Sequence, residues 1–241
     1  MSTKTKFEIC NLMVETVRKD IKNIHLGVYP PNGRIRVAAP LKTSDESVRL
    51  LVISKIPWIK KQQSRFMAQE RQTKREYISG ESHYFLGKRY LLNVIDIEPI
   101  PRIEIKRKAH IHMYVKPNST LKHREKLLED WYRSEIKKQI ALLLEKWSKI
   151  IGVRVNKVSV RKMKTKWGTC NTASKRILLN LELAKKPAHC LEYVFVHEMI
   201  HILEKKHSDK FMTKMDSFMP NWKQLKQELN KSPLSYSEWS Y

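Results

Sequence analysis

The sequence predicts an α+β fold: a small N-terminal mixed β-sheet region with a long helix, followed by a domain built around a His-Glu-x-x-His helix. Three observations predict it. Strand-like alternation recurs over roughly the first 115 residues, apolar spacing turns helical over 44–74 and again over about 120–149, and His197-Glu198-Met199-Ile200-His201 follows the apolar run Tyr193-Val194-Phe195-Val196. A chain of 241 residues is long enough for one large domain or two small ones. The expected organisation is an α+β region over 1–117, a second domain over 118–231 and a loosely held tail over 232–241.

The elements follow from local pattern. After a helix-like opening, His25 to Tyr29 and Arg34 to Val37 alternate around Pro30-Pro31-Asn32-Gly33, which reads as a hairpin. From Ser44 the spacing of Val48, Leu51, Val52, Ile56 and Ile59 is helical; Pro57 starts a new turn or kinks the helix, which extends towards Lys74. The stretch 77–97 returns to strands, with Gly80 and Gly87 at turns, and 100–115 supplies two more. Asn118 or Ser119 is placed to cap the helix of about 120–149, and Gly152 follows its end. Strands over 153–160 and 176–181 flank 166–171, whose irregular period fits a hairpin arm or a loop. Pro187 precedes a helix over 191–204, and Ser208 caps another that runs to Phe218.

Composition bounds the function. With 41% hydrophobic residues the chain has a globular composition, which excludes disordered, collagen-like and coiled-coil classes. Its apolar runs fall far short of the ~20 residues of a membrane-spanning helix, and the segment MSTKTKFEIC has no apolar signal core. Three cysteines, Cys10, Cys170 and Cys190, lie too far apart for a Cys-x-x-Cys clip and are odd in number, so a reducing, cytoplasmic setting and no membrane association are expected. Lys and Arg number 48 against 24 Asp and Glu, a formal charge of +24 that favours an anionic partner, nucleic acid or nucleotide among them. No zinc-finger pattern and no aromatic RNA-binding stretch accompanies that charge.

The chemistry concentrates at His197 to His201. Four helical residues at about 100° each bring the two imidazoles onto one face, a turn apart, where both reach one metal ion. Glu198 lies about 100° around from His197, beside the ion, so its carboxylate is free to take a proton from metal-bound water. A catalytic zinc wants a third protein ligand and an open position. His207 is the best placed, provided that the helix ends before it; Glu204, Asp216 and Glu228 compete. The spacing from His197 to His207 matches the metzincins, but Glu204 stands where that pattern has Gly. Residues 167–170, Trp-Gly-Thr-Cys, form either a tight turn packing Trp167 on the core or a strand edge beside the metal, where Thr169 or backbone groups would orient an extended substrate with help from Asn180.

The chain resembles the YgjP-like metallopeptidases, distant relatives of the SprT-like proteases. The resemblance rests on Arg161 to Cys170, Ile177 to Asn180, Tyr193 to His201, His207 to Phe211 and Met219 to Trp222, with Trp58 to Lys61 and Ser79 to Gly87 upstream. It implies a zincin-like metallopeptidase domain with a Zn2+ ion on His197, His201 and His207 and with Glu198 as catalytic base. On the strand-edge reading, Trp167, Gly168, Thr169 and Asn180 are the expected substrate-binding residues; Thr169 stands where the family usually carries Ser. A zinc-dependent hydrolase cutting a peptide or protein substrate by Glu-assisted attack of zinc-bound water is the leading expectation. A metal-dependent nucleoside triphosphate pyrophosphatase of UTP type and a nucleic-acid-binding module with a structural zinc stay open.

Overall fold

A computed structural model describes residues 4–29, 32–67, 75–97, 100–163 and 166–231. The fold is α+β, and the described residues form two compact units, one before and one after the 72/73 division. The expected tail, 232–241, and the end of the first long helix, 68–74, lie outside the described residues.

In the first unit, strands β1 (Lys4–Ile9) and β2 (Leu12–Lys19) stand where the sequence reads helix-like. β-branched Val14, Thr16 and Val17 favour the extended chain, and Cys10 and Asn11, at φ 48° and 61°, form the two-residue turn that matches the strand twist. β3 (His25–Tyr29) and β4 (Arg34–Pro40) make the expected hairpin, and β4 also lies parallel to β2, so that the sheet order is β1-β2-β4-β3. The helical stretch breaks at Lys55 into α1 (Asp45–Ser54) and α2 (Ile56–Met67). Pro57 sits in the first turn of α2, where a missing N–H removes no helical bond. Val14, Ile35, Val37, Val48, Val52 and Ile59 close this unit's core.

The second unit opens with β5 (Ser82–Phe85), β6 (Lys88–Asp96), β7 (Arg102–Lys106) and β8 (His110–Val115), ordered β5-β6-β8-β7. Alternation puts Leu92, Ile111, Met113 and Val115 on the inner face. Across it runs α3 (Leu121–Ile151), whose Leu128, Tyr132 and Ile136 bury their side chains in the same core. The Tyr132 hydroxyl donates to the Tyr84 carbonyl at 2.7 Å. Thr120, not Asn118 or Ser119, caps α3 by accepting the His123 N–H at 3.3 Å, and Gly152 ends the helix in the left-handed conformation at φ 73°.

Beyond α3 come β9 (Lys157–Arg161), β10 (Gly168–Asn171) and β11 (Arg176–Asn180), then a 3-10 turn over Leu181–Lys185 and helices α4 (Ala188–Ile200), α5 (Asp209–Phe218) and α6 (Trp222–Lys231). The stretch 166–171 contributes a hairpin arm: β10 pairs antiparallel with β11, which pairs parallel with β9 on its other side. One core joins the β5–β8 sheet through Met113, α3 through Ile136, β11 through Leu179 and α4 through Phe195. The division expected at 117/118 therefore falls inside the second unit, because α3 needs the preceding sheet to cover its apolar stripe.

His83 on β5 is 4% exposed, and its Nε2 lacks a hydrogen-bond partner among the described residues, with Glu81 Oε2 3.5 Å away. Burial drives its pKa down to about 4, against the pull of Glu81. Unfolding restores an imidazole that protonates near pH 6.5. The stability that neutral His83 contributes is therefore complete above about pH 6.5 and is lost as pH falls towards about 4. Urea unfolding at about pH 7.5 and about pH 5 is expected to show a smaller acid-induced loss for His83→Phe than for the wild type; equal losses would remove His83 from the linkage.

Candidate metal centre

Helix α4 is apolar on nearly every side, with Cys190, Leu191, Val194, Phe195, Val196, Met199 and Ile200 all buried. A helix of that kind is held from all directions and presents its polar side chains rigidly. His197 and His201, one turn apart, have ring centroids 4.9 Å apart. The helix stops at Ile200 and His201 is its cap, so the chain turns through 201–203 and brings His207 back. The His207 ring lies 5.0 Å from that of His197 and 4.7 Å from that of His201.

One ligand nitrogen from each of the three histidines lies within 4.8 Å of the others, and the Nε2 atoms of His197 and His207 are 3.0 Å apart. Zinc–imidazole bonds of about 2.0–2.1 Å in a tetrahedral site place ligand nitrogens about 3.3 Å apart, so the donor set fits such an ion with small adjustments. His201 Nδ1 donates to the Glu204 main-chain oxygen at 3.1 Å. A carbonyl only accepts, so this contact puts the proton on Nδ1 and leaves the Nε2 lone pair for the centre. His197 has no such anchor: its Nδ1 is buried without a hydrogen-bond partner among the described residues. Packing holds it instead. Tyr193 lies 6.0 Å from its ring, and Phe211 of α5 packs at 4.9, 4.7 and 4.8 Å from His197, His201 and His207.

The electrostatics favour neutral rings, the form that ligates. Burial pushes the His197 pKa down to about 3, helped by His201 and His207. Burial also lowers His201, opposed by the Glu204 carbonyl. Glu198 points out of the imidazole cluster towards β10, where Gly168 has no side chain: a Cβ there would stand 2.7 Å from Glu198 Oε1 and 2.9 Å from Val194 Cγ1. Only glycine lets the strand approach so closely. Glu198 is 6% exposed, and burial raises its carboxyl pKa to about 7, with Lys166 pulling the other way.

Of the sequence-predicted site residues, Glu198 and Gly168 are in direct apposition. Thr169 follows on β10, the edge of its three-stranded sheet, paired with Leu178 on one side. Trp167 packs against the core beneath the Lys186 ammonium, 5.7 Å from its ring centre. Asn180 is turned to the backbone: its Nδ2 donates to the carbonyls of Met163 and Lys166 at 2.9 and 2.8 Å, and its Oδ1 accepts from Met163 and Glu182 N–H at 3.2 Å each. It ties down the approach to β10. Glu204 offers its carbonyl to His201, Asp216 accepts from Trp222 Nε1 at 2.8 Å and Glu228 meets His189 at 2.8 Å, so His207 is the one of the four competing ligands that joins the cluster. Sequence reasoning missed Phe211 as the floor common to the three rings. Its signal was an apolar residue four positions after His207, in a helix that starts at the Ser208 cap.

Three converging imidazoles and a buried carboxyl beside an edge strand are the kind of side-chain set that metal-dependent hydrolases use. The chain belongs to the YgjP-like family: the model of the YgjP-like metallopeptidase domain matches residues 22–232, and with it comes a metal-dependent hydrolase or peptidase character. Comparison with curated proteins gave no match.

Asn180→Ala removes both partners of the Met163 main chain and strands the Lys166 carbonyl. A loss of about 2–3 kcal/mol in urea unfolding is expected; a change below about 0.5 kcal/mol would show that the loop holds without it.

Proposed function

We propose that the protein is a zinc metallopeptidase in which His197, His201 and His207 hold the ion and Glu198 is the catalytic base. One observation carries the reading: three imidazoles converge from a helix and its return loop, next to a carboxyl that lies outside the donor set. When bound, zinc supplies Lewis-acid chemistry, polarising the scissile carbonyl and acidifying water. Glu198 takes the proton of the attacking water at its carboxylate and returns it to the leaving nitrogen. Gly168 keeps that carboxylate against the strand and out of bulk water. The free edge of β10, at Gly168 and Thr169, pairs with the extended main chain of a peptide or protein substrate, while Trp167 and Asn180 hold the strand in place.

Metal analysis and peptide cleavage test this together. His197→Ala and His201→Ala are each expected to lose stoichiometric zinc; full retention in either would remove that ligand. Glu198→Gln is expected to keep zinc and fold while turnover falls by about 10²–10⁴-fold. Unchanged turnover would end the base assignment, and hydrolysis of nucleoside triphosphates in place of peptides would replace the peptidase reading by a phosphohydrolase.

A further inference from the structure

The strands next to the metal centre are cationic without relief. Between Glu145 and Glu182 the sequence contains no Asp or Glu. Arg154, Lys157, Arg161, Lys166, Lys175 and Arg176, all in that stretch, are exposed and make no ion pair among the described residues. Lys162 is the neighbour that is paired, with Glu125 and Glu129 of α3 at 3.2 and 2.6 Å. On α3, by contrast, Lys126, Arg133, Lys138 and Lys149 each meet a carboxylate.

The unmatched charges bracket β10. Lys166 lies just before Gly168, within the electrostatic reach of Glu198, and Lys175 and Arg176 close the hairpin at the other end, where Arg176 is the register partner of Asn171. The strand itself, Gly-Thr-Cys-Asn, carries no charge. From α6, Lys226 adds a positive field at His197. Three imidazole ligands would leave the charge of a divalent ion uncompensated, and among the described residues no carboxylate joins the cluster. A cleft with one sign of charge concentrates ligands of the other sign.

We propose that the site selects acidic peptides, with Asp or Glu flanking the scissile bond on the substrate strand laid along β10; this rests on the peptidase reading. Glu198 abuts Gly168, so the reacting end of the strand is the Lys166 end. At about 3.3 Å per residue, Gly168 to Asn171 spans about 10 Å. One acidic side chain therefore falls within a position or two of the cut, opposite Lys166, and another about three to four positions away, opposite Lys175 and Arg176.

Two readouts test the proposal. The first is anisotropy of a labelled Glu-rich peptide and of its Gln-for-Glu copy on zinc-loaded Glu198→Gln protein, alone and with Lys166→Glu, Lys175→Glu and Arg176→Glu added. The second is mass-spectrometric mapping of the bonds that the wild type cuts in a random-sequence peptide pool. The expected result is about tenfold or more tighter binding of the acidic peptide, abolished by the triple reversal and by high salt, with Asp and Glu enriched around the cut bonds. The exposed positions of the three substitutions leave the thermal unfolding curve in place. A pool cut without acidic enrichment, or equal binding of the two peptides, overturns the proposal and leaves the peptidase reading standing. A pool left uncut while nucleoside triphosphates are hydrolysed removes the peptidase reading and the proposal with it. Single-stranded DNA that binds tighter than the Glu-rich peptide, and is lost on charge reversal, assigns the cationic strip to nucleic acid and overturns the proposal.

Discussion

Helix α4 has no polar stripe to turn towards water, and the second unit is arranged around that fact. Its 188–200 segment presents apolar side chains on almost every side, so other elements must surround it: β10 and β11, α3, α5 and α6 all pack against it. Each fully buried aliphatic or aromatic side chain contributes about 1.5–3 kcal/mol. The polar groups that interrupt this surface, His197, Glu198 and His201, are consequently held in directions set by a packed core. Glu198 is carried into the side covered by β10, and the strand accommodates it by having glycine at the point of contact.

Burial also decides protonation. Enclosing an imidazole disfavours its cation, and enclosing a carboxylate disfavours its anion. The same packing therefore keeps His197 neutral and lifts Glu198 towards neutrality. Neutral rings offer lone pairs to a metal, and a carboxyl near neutral pKa exchanges its proton readily at physiological pH. These two properties of a metal-dependent hydrolase have one cause, the enclosure of a single helix. The exposed return loop supplies His207 under looser constraint, steadied by Phe211, which packs beneath all three rings.

Much of this was legible in the sequence. The four-residue spacing of His197 and His201 is a geometric statement about any helix, and the polar residues after His201 marked a loop able to return His207. The antiparallel pairing of β3 with β4 followed from alternation around Pro-Pro-Asn-Gly. Other features depend on partners distant in sequence. The opening 4–19 carries apolar residues that satisfy either period, and pairing of β2 with β4 settles it as strand. The role of Gly168 exists only opposite Glu198, and that of Asn180 only against the main chain of Met163 and Lys166. Where the chain divides depends on distant partners too: the helix stripe of α3 does not announce which sheet covers it.

The connection from His201 to His207 is short, and both of its ends are pinned, one by the helix it terminates and the other by the Ser208 cap of α5. Surface loops ordinarily absorb insertions with little cost. Here an extra residue would leave every contact of the core intact and still swing the third imidazole off its partners, while changes of residue type at Lys205 or Lys206 would leave its reach unaltered. The segment thus works as a ruler rather than a hinge: what it stores is a length.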